Sequence, residues 1–325
     1  MTLFSLFAGS VVLACLCIKI FSPKKVEGYK NRIFYRTLYT VRGFDLIQLV
    51  WRLFGKIGAG IITRTIGLGY ALSHPATVRA IRSNIALLDP KQATFAAGCR
   101  LLMNQAECFS LYGLLLQKKP AAVMEQLGAR EGFEHLQNAH LAGKGCLLVT
   151  GHLGFFELGG LVMTELGFPM TALTLPEPST ELTQWRANFR AHWGVKTIVI
   201  GEDAFSVVEI VRALHAGAFV ALLVDRPFDH NTILVQLPHG QILFSTAPAL
   251  ISLLAQCPII PVGVSKQRDG KHRISARPAI EPSWLPAGRA ETLAHYTKEI
   301  AAGLIPLFAE TPEQWYHFSE LKHAP

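Results

Sequence analysis

The segment "CLLVTGHLGFFELGG", Cys146 to Gly160, sets a histidine and a glutamate five positions apart directly after an apolar run. An imidazole, with a reference pKa near 6.5, can take a proton from an alcohol at neutral pH. A carboxylate on its other ring nitrogen fixes the tautomer and stabilises the imidazolium that forms. His152 and Glu157 are therefore a candidate base and orienting acid. On one continuous helix five positions turn through about 500°, so the two would not share a face. They meet only if His152 stands in a turn and Glu157 in the first turns of a helix. Gly151 and Gly154 permit such a turn. No GxSxG elbow supplies a serine nucleophile. The nucleophile then belongs to the substrate, as a hydroxyl or amine attacking an acyl carbonyl. Free N–H groups at a helix start near Phe155 would favour negative charge there. The spacing is also compatible with a histidine that caps a turn and a glutamate exposed on a helix.

These residues need a rim to stand on. Beyond residue 143, short apolar runs alternate with helical ones. Strands are expected at Cys146–Thr150, Thr171–Leu175, Thr197–Ile200, Phe219–Asp225, Ile233–Leu237, Ile259–Val264 and His272–Pro278. Helices are expected at Phe155–Leu166, Thr180–Trp193, Val207–His215 and Ala247–Gln256. The alternation predicts an α/β fold, a mostly parallel central sheet flanked by helices. In such a sheet ligands bind at the carboxyl ends of the strands, where His152 falls. Residues 75 to about 140 read as helical, with Pro75 opening one helix and Pro120 breaking the run.

The chain has 325 residues, half of them hydrophobic and 17% charged, which makes a membrane the first partner to consider. The net charge of +8 resides entirely in residues 1–64, where ten basic side chains face two acids, Glu27 and Asp45. These charges alternate with Leu, Ile, Phe and Trp, a texture that suits anionic lipid headgroups and argues against nucleic acid. Leu3–Phe21 is long and apolar enough to cross a bilayer. The "SPKK" behind it places that flank in the cytoplasm. The expected organisation is an anchor over 1–22 and one domain over 23–325, helical and membrane-associated to about 140, α/β after it. Phe44–Leu72 is a second oily stretch, interrupted by Arg52, Lys56 and Arg64. It is either an interfacial helix that sinks Phe44, Trp51, Leu53 and Phe54 into the acyl region, or a helix packed in the core. Six scattered cysteines with no CxxC pair indicate neither zinc nor a disulfide framework.

"TGHLGFFELGG" resembles the His-x4-Asp/Glu motif of the lysophospholipid acyltransferase superfamily. It is closest to the branch of late lipid A lauroyl and myristoyl transferases. "IRSNIALLDP" before the motif, and "FVALLVDRPFD" and "STAPALISLLAQCPIIPVGV" after it, are similar to that branch in the same order. The resemblance implies His152 as general base and Glu157 as its partner. It matches Asp225 to an acid following a later strand, on the same rim as His152. Arg226 beside it would pair with Asp225 or with phosphate. Arg186 and Arg190, one helical turn apart, would clamp a phosphate of the acceptor or carrier, or line a solvated helix face. Gly154 belongs to the motif, and Glu177 in "LPEPST" is a further candidate. Phe155 and Phe156 depart from the usual Asn-Trp, and "VDRPFD" departs from the usual acidic pattern. "ILFSTAP" lacks the Glu-Gly of glycerophosphate acylators, which argues against a glycerol phosphate acceptor.

The implied activity is transfer of a fatty acyl chain from an acyl-carrier-protein or coenzyme A thioester to a lipid hydroxyl. The acceptor would be a lipid A precursor or a related glycolipid or aminolipid, on the cytoplasmic side of a bacterial inner membrane. No cofactor or metal is called for; "DHN" at Asp229–Asn231 reads as a turn, not a ligand set. Trp315, Tyr316 and Phe318 would touch lipid or pack on the domain. The competing readings are a hydrolase using the same pair on water, and a non-catalytic lipid-binding relative.

Overall fold

The computed structural model describes residues 39–321 apart from 118, 202–204 and 228–230. The expected anchor Leu3–Phe21 lies outside the described residues, as do Asp229 and His230 of the "DHN" turn. The chain runs α1 (Val41–Ser73), α2 (Pro75–Leu88), α3 (Phe95–Leu115), α4 (Pro120–Met124), β1 (Leu127–Glu131), α5 (Phe133–Leu141) and β2 (Cys146–Thr150). It continues with α6 (Phe156–Glu165), β3 (Met170–Thr174), α7 (Thr180–His192), β4 (Lys196–Val199), α8 (Phe205–His215) and β5 (Phe219–Leu223). Then come β6 (Thr232–Leu237), β7 (Gly240–Ser245), α9 (Ala247–Ala255), β8 (Ile259–Lys266), β9 (His272–Ala276) and α10 (Arg289–Glu310).

Seven strands form one sheet in the order β1-β9-β8-β2-β5-β3-β4, parallel except between β8 and β9; β6 and β7 make a separate hairpin. This is the α/β architecture expected from the alternating runs. Three elements differ from expectation, one of them β7, which was not among the expected strands and pairs with β6 as a hairpin. The stretch read as helical to about 140 contains β1, whose sequence "LGARE" has little strand character yet adds to the sheet beside β9. The long α10 was not foreseen, because Gly303 and Pro306 interrupt its helical pattern.

Period-two alternation along β2 divides the interior. Leu147 and Val149 point into one core with Val220, Ile251, Leu304 and Phe308, under α8, α9 and α10. Cys146 and Leu148 point into the other with Tyr112, Leu158, Val162 and Phe189, under α3, α6 and α7. All five residues of β2 are buried, as suits a strand covered on both faces.

The α1 helix starts at Thr40, whose hydroxyl accepts the Gly43 N–H at 3.1 Å, and kinks at Gly55 (φ 63°). It packs along α3. One face of this helix packs in the core and the other is apolar and exposed. Phe44 and Trp51, expected in the acyl region, face inward at 0% and 6% exposure. Phe44 stacks on Trp185 at 4.3 Å, and Trp51 lies against Gly113, where any Cβ would collide with it. Leu53 and Phe54 face outward together with Leu46, Leu49, Ile57 and Ile61. By length and composition α1 is apolar enough to cross a bilayer.

Candidate active site

Register places the site. β2 and β5 are parallel neighbours with Thr150 opposite Leu223, and the Val224 N–H donates to the Thr150 carbonyl at 2.9 Å. Two residues beyond that matched pair stand His152 and Asp225. The Asp225 carboxylate lies 2.7 Å from His152 Nδ1 through Oδ1, and its Oδ2 accepts the His152 backbone N–H at 2.9 Å. Gly151 makes the approach sterically feasible: a Cβ there would lie 2.5 Å from the Phe308 ring and 2.9 Å from Asp225 Oδ2. Gly154 holds φ at +55°, and a Cβ would collide with the Val264 carbonyl at 2.1 Å. Its N–H instead donates to the Gln314 carbonyl at 2.8 Å.

Asp225 is only 1% exposed. Burial disfavours its charge, but His152 and His317 outweigh burial and hold it well below the usual carboxylate range. The His152 side chain keeps 24% of its surface exposed. Burial, then Arg226, lowers its pKa to about 4 while Asp225 opposes them. At neutral pH the ring is therefore neutral beside an ionised carboxylate. Nδ1 must donate to Asp225, which leaves Nε2 with a free lone pair.

Glu157 is not the partner of this ring. It lies in the first turn of α6 and belongs to the layer on the other face of the sheet. There it accepts from Arg186 Nη2 at 2.5 Å, Arg190 Nε at 2.5 Å and the Tyr112 hydroxyl at 3.3 Å. The expected convergence of His152 and Glu157 fails because the turn sends His152 to the strand-end rim, while α6 directs Glu157 into the core beneath α7. Burial pushes the Glu157 carboxyl up, but Arg190 and Arg186 more than offset it and hold it at about 2.

Arg186 and Arg190 share a face of α7, as the spacing requires, but that face is neither solvated nor turned to the rim. Their side chains are 8% and 7% exposed. Arg186 also meets Glu177 at 3.2 Å and donates to the Tyr39 hydroxyl at 2.6 Å, which donates in turn to Glu177 at 3.0 Å. Two carboxylates and two guanidiniums thus neutralise one another. Arg226 lies on the His152 side: it donates to the Tyr316 carbonyl and its guanidinium sits 6.0 Å from the Phe318 ring centre.

Two members of the site escaped sequence reasoning. Trp315 Nε1 and His317 Nε2 each donate to Asp225 Oδ2 at 2.9 Å. Their segment runs antiparallel to the His152 loop, with a bridge between Leu153 and Trp315 and the Tyr316 N–H donating to the His152 carbonyl at 2.8 Å. In an extended segment residues i and i+2 point the same way. Two N–H donors at that spacing in "WYH" were the available signal. Tyr316 points the other way, its hydroxyl 3.4 Å from Cys108 Sγ.

An apolar cavity of about 20 Å³ is lined by Leu173, Ile200, Leu222, Val224, Ile251 and Arg226, among others. That volume holds about one water molecule, so a longer chain enters only if the lining parts. The helix start beside His152 has no side-chain cap, so the first N–H groups of α6 lack that partner.

Residues 110–321 match the family model for bacterial lipid A biosynthesis acyltransferases. No curated protein matches the chain.

Proposed function

The chain belongs to the bacterial lipid A biosynthesis acyltransferase family, and on that premise we propose that it acylates a lipid hydroxyl from a thioester donor with His152 as general base. Nε2 takes the hydroxyl proton and the oxygen attacks the thioester carbonyl. The tetrahedral intermediate collapses to the ester, the C–S bond breaks, and the imidazolium returns its proton to the departing thiolate. Asp225 holds the Nδ1–H tautomer and stabilises the imidazolium as it forms. The 2.7 Å contact between Asp225 and His152 Nδ1 carries this reading. Glu157 takes a scaffolding role: with Arg186, Arg190 and Glu177 it ties α6 to α7. These arginines are assigned to that scaffold, and Arg226 is the cation near enough to the rim to meet a phosphate.

The apolar outer face of α1, interspersed with Arg42, Arg52 and Lys56, suits docking on an anionic bilayer, with catalysis on the cytoplasmic side of the inner membrane. Acyl carrier protein or coenzyme A would carry the donor. The acceptor would be a lipid A precursor or a related glycolipid or aminolipid.

The test uses radiolabelled acyl thioester on either carrier, with and without membrane lipid acceptor. Wild-type enzyme should label the lipid, and His152→Ala should lose about 10²–10⁴ in rate. Release of free fatty acid at full rate without acceptor would identify a hydrolase instead.

A further inference from the structure

We propose that His317 is a positioning residue for this reaction: it donates to Asp225 from Nε2 and so fixes the carboxylate that orients His152. The inference rests on the reading of His152 as base.

A carboxylate offers about four acceptor positions, two on each oxygen, and Asp225 meets four donors. The His152 ring takes Oδ1, while the His152 N–H, the Trp315 indole and His317 share Oδ2. Rotation about the last bond of an aspartate is soft, so its orientation depends on such donors. The amide and the indole can only donate. An imidazole can do either, and beside an ionised acceptor it must donate, so the two rings on this carboxylate carry opposite tautomers. His152 bears its proton on Nδ1 and His317 on Nε2.

His317 cannot be the base itself. Its side chain is 4% exposed against 24% for His152. It packs on the Trp315 ring at 4.6 Å and lies 6.2 Å from the His152 ring. Its backbone is tethered from the helical layer by buried Asn84, which donates to the His317 and Ser319 carbonyls at 3.3 and 2.9 Å and accepts the Leu321 N–H at 2.8 Å. A ring held on both sides in this way sets an angle; it does not meet substrate.

The charged or titratable groups that face His152 are Asp225, Arg226 and His317, the last neutral in the tautomer assigned above. Asp225 favours the protonated ring, whereas Arg226 disfavours it. Removal of the neutral His317 ring takes a hydrogen-bond donor from Asp225, whose less satisfied charge then holds a proton on His152 more firmly, and the acid limb of kcat/KM moves to higher pH. Misalignment of a catalytic group by about 1 Å can cost 10²-fold. For His317→Phe we expect kcat to fall about 10- to 100-fold, KM to change little and the acid limb to rise. His317→Gln, whose amide N–H replaces Nε2–H, should recover most of kcat.

Wild-type kcat and an unmoved acid limb in a folded His317→Phe enzyme would overturn the assignment. If that variant fails to fold, ¹⁵N-histidine NMR of the wild-type protein decides: the Nε2–H tautomer at His317 supports it, and the Nδ1–H tautomer overturns it. The two layers of inference separate cleanly. Full activity in His152→Ala removes the base itself, whereas an inactive His152→Ala beside an unaffected His317→Phe removes only the role of His317.

Discussion

Two acid–base networks flank the same sheet, and they are built on opposite terms. The Glu157 network on the α7 side balances two carboxylates with two guanidiniums and admits almost no solvent. The Asp225 network at the strand-end rim balances one carboxylate with neutral donors and leaves the outer part of one ring in reach of solvent. A sealed and neutralised cluster can hold elements together but has no group free to gain or lose a proton. The open network has one: Nε2 of His152. The difference separates architecture from chemistry more sharply than the motif does, since the motif contributes one residue to each.

The strongest way to break the comparison is Asp225→Asn. If the rim network is the chemical one, kcat should fall about 10³–10⁴-fold as the ring loses its tautomer and its anion, with the thermal midpoint shifted far less than kcat. An active Asp225→Asn would erase the distinction. Next comes Glu157→Gln, which leaves two buried guanidiniums against Glu177 and one amide. Loss of one partner of a buried pair costs about 3–5 kcal/mol, read by urea unfolding, with kcat per folded molecule within about tenfold of wild type. A stable but inactive Glu157→Gln would return Glu157 to the chemistry. The finest adjustment is Tyr112→Phe, which removes one hydroxyl donor to Glu157 and should cost about 1 kcal/mol of stability with no change in kcat.

How much of this was legible in the sequence follows from which interactions are local. The end of β2 could be read because the short apolar run "CLLVT" stops at Gly-His, and the rim position of Asp225 because "FVALLVD" stops the same way. Their pairing could not, because it depends on β5 lying beside β2, and strand order is set by packing between elements far apart in the chain. The assignment of Glu157 to His152 failed for the complementary reason. Proximity in sequence suggested contact, but a strand end and the helix after it serve different layers. Arg186 and Arg190 were correctly placed on one face, yet nothing in a four-residue spacing says whether that face meets water or a buried glutamate. The interruption at Gly303 and Pro306 concealed α10, which supplies Phe308 beneath Gly151.

The groups that converge on Asp225 come from residues 152, 225, 315 and 317. Contacts of such long sequence separation form late, because much of the chain must be ordered before they close. A partly folded chain already contains the histidine but lacks the fixed carboxylate beside it. On the proposed mechanism, a competent base therefore emerges only with the finished molecule.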